Sequence, residues 1–166
     1  YLLKTTLKNS VLNTVVQQDF IVPDLSFLGN KLGMEHGVPA PWTKPVRQGN
    51  TIFMKYQKYT FGNDPFPIQM ENRGFQVLQS SSGLKLVRNK KEVKWTDFAE
   101  KTDDSGAENI VSTGSMKAED DSLLLNWKRT LEYDGLIRYD FTLVPLQKNV
   151  LLDHLSVDFV LPPEHS

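Results

Sequence analysis

The chain has 166 residues, of which 39% are hydrophobic, 10% aromatic and 23% charged: enough apolar surface to offset the entropy of ordering one domain, and too little length for two full ones. Nineteen Lys and Arg against twenty Asp and Glu give a net charge of -1, so no global field draws in a polyanion and nucleic acid is excluded as an expected partner. The absence of cysteine removes disulfides, thiolate metal sites and cysteine nucleophiles.

No apolar run approaches the ~18 residues of a membrane span. The chain opens on Tyr1-Leu2-Leu3-Lys4, without an initiator Met or a secretory signal, and stops at Pro162-Pro163-Glu164-His165-Ser166. It reads as a piece of a longer protein.

In chain order, residues 11–17 are compact and β-branched and predict a strand. Asp24 as N-cap, Leu25, Leu28 and Leu32 at helical spacing and Gly33 as a stop predict one short helix. Three prolines between Gly37 and Pro45 then make a stiff connector, because each removes a backbone donor and pushes the preceding residue toward extended geometry. From Thr51 onward short extended runs follow one another, at 51–56, 67–71, 75–79, 84–88 and 92–96. Asn63-Asp64-Pro65, Asn72-Arg73-Gly74, residues 80–83 and Asn89-Lys90 supply the turns between them. Residues 102–122 read as polar loops around one edge strand at 108–113. The expected organisation is an N-terminal strand, helix and connector over 1–36 and a β-sandwich over 37–166.

The last forty residues permit a register argument. Leu123, Leu125, Trp127, Leu131 and Tyr133 alternate with polar neighbours, as do Ile137, Tyr139, Phe141 and Leu143 on the return strand. A two-residue turn at Asp134-Gly135 would set polar against apolar positions. A three-residue loop, Tyr133-Asp134-Gly135 with Gly135 left-handed, restores parity. Leu131 then opposes Ile137, Trp127 opposes Phe141, Leu125 opposes Leu143, and Lys128 pairs with Asp140 on the far face. A one-residue slip would expose every apolar side chain, so this register wins. Arg129, opposite Tyr139 on the apolar face, is the exception to be explained. A third long strand is expected over 151–161. The fold class is therefore all-β, an antiparallel β-sandwich with one short helix near the N-terminus.

The run Gly37-Val38-Pro39-Ala40-Pro41-Trp42-Thr43-Lys44-Pro45-Val46, then Gly49-Asn50-Thr51, then Tyr59-Thr60-Phe61-Gly62, resembles the opening of a bacterial, Bacteroidetes-type domain. Leu131 to Ile137, Leu155-Ser156-Val157 and Leu161 to His165 carry the likeness to the end, so that it covers roughly residues 28 to 166. The domain is the N-terminal β-sandwich of proteins similar to glycoside hydrolase family 123, the β-N-acetylgalactosaminidases. Ala40 stands where that motif usually has proline, and Phe53-Met54-Lys55-Tyr56 is more apolar than the family's exposed strand. The resemblance implies a periplasmic or extracellular multidomain protein, with a downstream (β/α)-barrel in the same chain as partner. In such enzymes an adjacent Asp-Glu pair in the barrel does the chemistry, with the substrate's acetamido group as nucleophile. No position here matches that pair, so no catalytic residue is carried over.

Within the chain itself, Asp103-Asp104 and Glu119-Asp120-Asp121 are the dense acidic groups, and both read as solvated loop charge rather than as a glycosidase pair or a Ca²⁺ loop. His36, His154 and His165 lack metal-ligand spacing, so no metal and no cofactor is expected. Trp and Tyr rings can stack on pyranose faces. The sugar-binding candidates are Trp95, Trp42 and Tyr59, with Tyr56 and Phe61 in the same aromatic set, whereas Trp127 belongs to the inferred core. The expected function is a noncatalytic accessory domain that packs against and orients a glycosidase-like barrel. The alternative is a carbohydrate-binding module that acts independently on glycans.

Overall fold

The computed structural model describes residues 2–8, 13–19, 21, 28–29 and 37–163, and the chain divides into two compact units, Tyr1–Glu35 and His36–Ser166. In the first, β1 (Leu2–Lys8) and β2 (Asn13–Asp19) pair antiparallel from Leu2 opposite Asp19 to Lys8 opposite Asn13. The strand expected over 11–17 thus runs on to Asp19, with 11 and 12 outside the described residues. The helix expected between Asp24 and Gly33 also falls outside them.

The second unit is all-β. One sheet takes β3 (Val46–Gln48), β4 (Thr51–Phe53), β5 (Gln57–Gly62), β6 (Asp64–Asn72) and β7 (Phe75–Gln76) in sequence order. The strand expected over 51–56 stops at Phe53, where Met54 N–H donates to Gln57 O at 2.9 Å and closes a tight turn. Arg73-Gly74 joins β6 to β7 with both φ angles positive, the geometry that matches the twist of a two-residue hairpin. β6 carries two buried prolines, Pro65 and Pro67, in an inner strand. The register with β5 slips around Phe61, which removes the need for the missing donors. Pro67 O instead accepts from the backbone and hydroxyl of Ser82, and this leads the chain into the next sheet.

There β8 (Gly83–Arg88) and β9 (Lys91–Val93) form a second hairpin about Asn89-Lys90. The opposing layer is β10 (Trp95–Asp103), β11 (Asn109–Ala118), β12 (Leu123–Glu132) and β13 (Ile137–Pro145), again in sequence order. In place of the polar loops and single edge strand expected over 102–122, β11 is a ten-residue inner strand, and its edge neighbour β10 reaches into the expected loop. The expected run over 151–161 shrinks to the five-residue β14 (His154–Asp158), which leaves the hairpin and pairs with β8 on the other layer.

The β12–β13 register is the one derived from the sequence. Leu131 faces Ile137, Arg129 faces Tyr139, Lys128 faces Asp140, Trp127 faces Phe141 and Leu125 faces Leu143. The loop is residues 133–135, closed by Glu132 N–H to Leu136 O at 2.9 Å, with Gly135 at φ 93°.

Three apolar clusters join the layers. Ile52, Met54, Tyr59 and Phe61 meet Ile110 and Leu131 at one end. Phe66 and Leu84 meet Met116, Leu125 and Trp127 in the middle, and Leu86 meets Ala118 and Leu123 beyond. Each fully buried Leu or Phe contributes ~1.5–3 kcal/mol by leaving water. Gly114 lies opposite Trp127, and a Cβ there would stand 2.1 Å from Ala99 O and 2.5 Å from Trp127 Cζ2. No side chain fits beneath that indole.

Arg129 is explained by what surrounds it. Though 2% exposed, its guanidinium donates to Pro65 O at 2.8 Å, Glu100 Oε1 at 2.9 Å and Ser112 Oγ at 3.1 Å, and lies 3.5 Å from the centre of the Phe61 ring. Burial lowers its pKa, and the Glu100 charge opposes that shift. The charge clamps β10, β11 and β12 to the start of β6.

Candidate functional site

Two of the three proposed sugar-stacking rings face inward. Tyr59, on β5, is 5% exposed and donates its hydroxyl to Gly135 O at 3.2 Å, which ties the β12–β13 loop to the opposite layer. Burial, and then the nearby Asp134 charge, hold its pKa above the usual phenol value. Phe61 beside it is 4% exposed. Trp95 begins β10, donates Nε1–H to Leu84 O at 3.0 Å, and packs against two of the core clusters. Neither Tyr59 nor Phe61 has a ring face free to stack on a sugar. Trp95 is half-buried, with its indole N–H already committed.

Trp42 differs. A cis Ala40–Pro41 bond and Trp42 N–H to Pro39 O at 2.9 Å form the type VI turn that presents the ring. The half-buried indole meets Tyr56 edge-on, with centroids 5.8 Å apart, and Tyr133 at 6.4 Å. Tyr56 lies in the tight turn before β5, and its carbonyl accepts from Arg73 N–H at 2.7 Å, which locks that turn to the β6–β7 hairpin. Arg73 Cζ then sits 4.9 Å and Lys55 Nζ 5.5 Å from the centre of the Tyr56 ring. An open groove of about 670 Å³ runs beside them, bounded by Phe53, Lys58 and Glu71. Tyr56 belonged to the aromatic set singled out in the sequence. Arg73 and Lys55 carried no sequence signal, because only the hairpin geometry brings them over the ring.

The acidic groups stay separate, and Asp103, Asp120 and Asp121 are held by neighbouring side chains. Asp103 binds Ser105, and Asp120 accepts from Ser122 and from Arg88 at 2.8 Å; hydrogen bonds from those serines hold both carboxyls below the usual range. Asp121 pairs with Lys117 at 2.5 Å. Asp64 is half-buried: desolvation raises its pKa, while Phe66 N–H at 2.8 Å, Leu84 N–H and the Arg129 charge pull it back. His154 is exposed at the start of β14, while His36 and His165 lie outside the described residues. Among the described residues no three His, Asp or Glu side chains converge as a metal site.

A second surface feature runs along the C-terminal segment. Phe66 gathers Tyr139 at 4.5 Å, Phe141 at 5.7 Å and Phe159 at 6.0 Å. Phe141 and Phe159 remain 40% and 52% exposed. Gln79 N–H to Val160 O at 2.8 Å carries this strip to an apolar notch of about 430 Å³ between Phe75, Val77 and Leu161, where Phe75 is 74% exposed. No helix is long and apolar enough to cross a membrane among the described residues.

Neither the curated proteins nor the solved structures contain a match to the chain. The family model described as "Glycoside hydrolase 123, third domain" matches residues 46–166, from β3 through both layers to the end. That description places the domain third, where the sequence resemblance had put it first. With all of the sandwich's strands inside the matched span, the chain belongs to the glycoside hydrolase 123 third-domain family.

Proposed function

We propose that this domain is a noncatalytic accessory unit that packs against a (β/α)-barrel catalytic domain of the same glycoside hydrolase 123 protein and orients it. The observation that carries this reading is the exposed aromatic strip of Phe141 and Phe159 continuing into the Phe75–Leu161 notch. Contiguous apolar surface of this kind is retained on soluble domains mainly where a partner covers it. Periplasmic or extracellular residence belongs to the same reading, through the family resemblance alone. The test compares the melting temperature of the domain alone with that of the domain joined to the catalytic part of its protein. A rise on joining, cancelled by Phe141→Ser with Phe159→Ser, supports the reading. Equal melting temperatures sink it.

A second reading is that the domain binds glycans on its own. Trp42 and Tyr56 favour it: Tyr56 lines the open groove and half-buried Trp42 packs edge-on against its ring. Of the other two proposed contacts, Tyr59 packs with groove-lining Met54 and would serve as scaffold behind it, whereas Trp95 packs in the two clusters away from it. Calorimetry of the domain with saccharides reads it directly.

A further inference from the structure

We infer that the groove beside Tyr56 is a binding site for acidic saccharides, those carrying a carboxylate or sulfate, with Lys55 and Arg73 as the anion-recognising pair. The inference rests on the glycan-binding reading and adds the ligand class. Three cations and one carboxylate line the groove. Lys58 is spent on Glu71, at 2.6 Å. Lys55 and Arg73 have no carboxylate partner among the described residues, and both are held at the face of the Tyr56 ring.

Cation–π contact preorders these long side chains, so an incoming anion need not immobilise them from a free rotamer population. A guanidinium and an ammonium side by side suit an oxyanion: the planar fork can bind two oxygens and the ammonium neutralises the remaining charge. Phe53, 37% exposed, offers apolar surface to the C–H face of a sugar ring. The groove volume falls in the ~300–1,000 Å³ range of small-ligand sites. Lys55 and Tyr56 lie outside the Phe141–Phe159 strip and its notch, whereas Arg73 lines both the groove and the notch, so a barrel seated over the notch would compete for Arg73 and leave Lys55 and Tyr56 open.

The test is titration calorimetry of the domain with a chondroitin sulfate hexasaccharide, with a hyaluronan hexasaccharide that carries carboxylate alone, and with the desulfated, carboxyl-reduced neutral counterpart. The expected result is binding of one or both acidic probes at a Kd of about 0.1–1 mM, weakening as salt screens the charges. The pair Lys55→Gln and Arg73→Gln should lose at least tenfold in affinity, while Lys148→Gln, on a distant exposed loop, should change nothing. Both substituted side chains are exposed, and an unchanged near-ultraviolet circular dichroism spectrum verifies the fold. Lys55→Gln alone provides a second, milder variant. Equal affinity for the neutral probe would overturn the ligand class and leave glycan binding standing. No heat with any saccharide at millimolar concentration would remove both. A DNA duplex bound as tightly as the sulfated probe would reduce the groove to a general polyanion patch and overturn the inference.

Discussion

β12 and β13 share nine residue pairs and the same alternation of apolar and polar side chains, yet their apolar faces end differently. On β12, Leu123, Leu125, Trp127 and Leu131 are at most 3% exposed, whereas Phe141 on β13 is 40% exposed and Tyr139 and Leu143 are half-buried. Alternation states which face is apolar, and position in the sheet decides whether that face is covered. β12 has a neighbour on each side and the opposite layer beneath it, while β13 is the edge. The difference separates what holds the domain together from what it offers to others.

Substitutions can break the inner half of that comparison first. Gly114→Ala should have the largest effect, about 3 kcal/mol in urea unfolding or outright failure to fold, because Ala99 O is backbone and the Trp127 ring cannot retreat. Arg129→Met should cost nearly as much, about 3 kcal/mol, since it strands Glu100 and Pro65 O. Adding Glu100→Gln should recover part of that loss, and strict additivity would show that the two residues do not act as a pair. Gly135→Ala should cost about 1–2 kcal/mol, chiefly for its positive φ, because the colliding Gln57 amide can move aside. The outer half should respond least: Phe141→Ser should change the isolated domain's stability by under about 1 kcal/mol. A loss of 3 kcal/mol there would make the edge strand part of the core.

Asp64 sharpens the contrast in pH. Its folded pKa is raised above 3.8, so its stabilising contribution is complete below that value and is lost as pH rises through the folded midpoint. Asp120 and Asp158 lie below 3.8 when folded, and their contribution disappears as pH falls. Carboxyl-carbon NMR should find Asp64 titrating above 3.8, and higher still in Arg129→Met, which removes a lowering charge. An Asp64 midpoint below 3.8 would contradict the burial described for it.

The β12–β13 hairpin was legible because period-two alternation and the parity of the Asp134-Gly135 turn admit one register. β10 was not: a bulge between Thr96 and Ala99, with Asp97 at φ 52°, breaks its alternation where a strand would be read. β11 was half legible: a strand was read at 108–113, but as a short edge strand, and its Ser, Thr and Gly content hid the inner ten-residue strand in which Gly114 makes room for Trp127 and buried Ser112 serves Arg129. The candidate groove was half legible. Trp42 and Tyr56 announced themselves as aromatics, but Arg73 sits in a turn whose sequence predicts only a turn. Tyr59 and Trp95 show the converse, since a ring's chemistry in the sequence does not reveal which way its strand faces.

The pairing of β14 with β8 has a consequence for synthesis. The partners Leu155 and Leu86, like Val157 and Leu84, are about seventy positions apart, so β8 emerges from the ribosome long before the strand that completes its sheet. Until then Gly83–Arg88 presents an open hydrogen-bonding edge with Leu84 and Leu86 beside it, a template for pairing with another nascent copy. Slow translation across the segment that follows Pro145 would prolong that exposure, and a chaperone that shields strand edges would be needed most there.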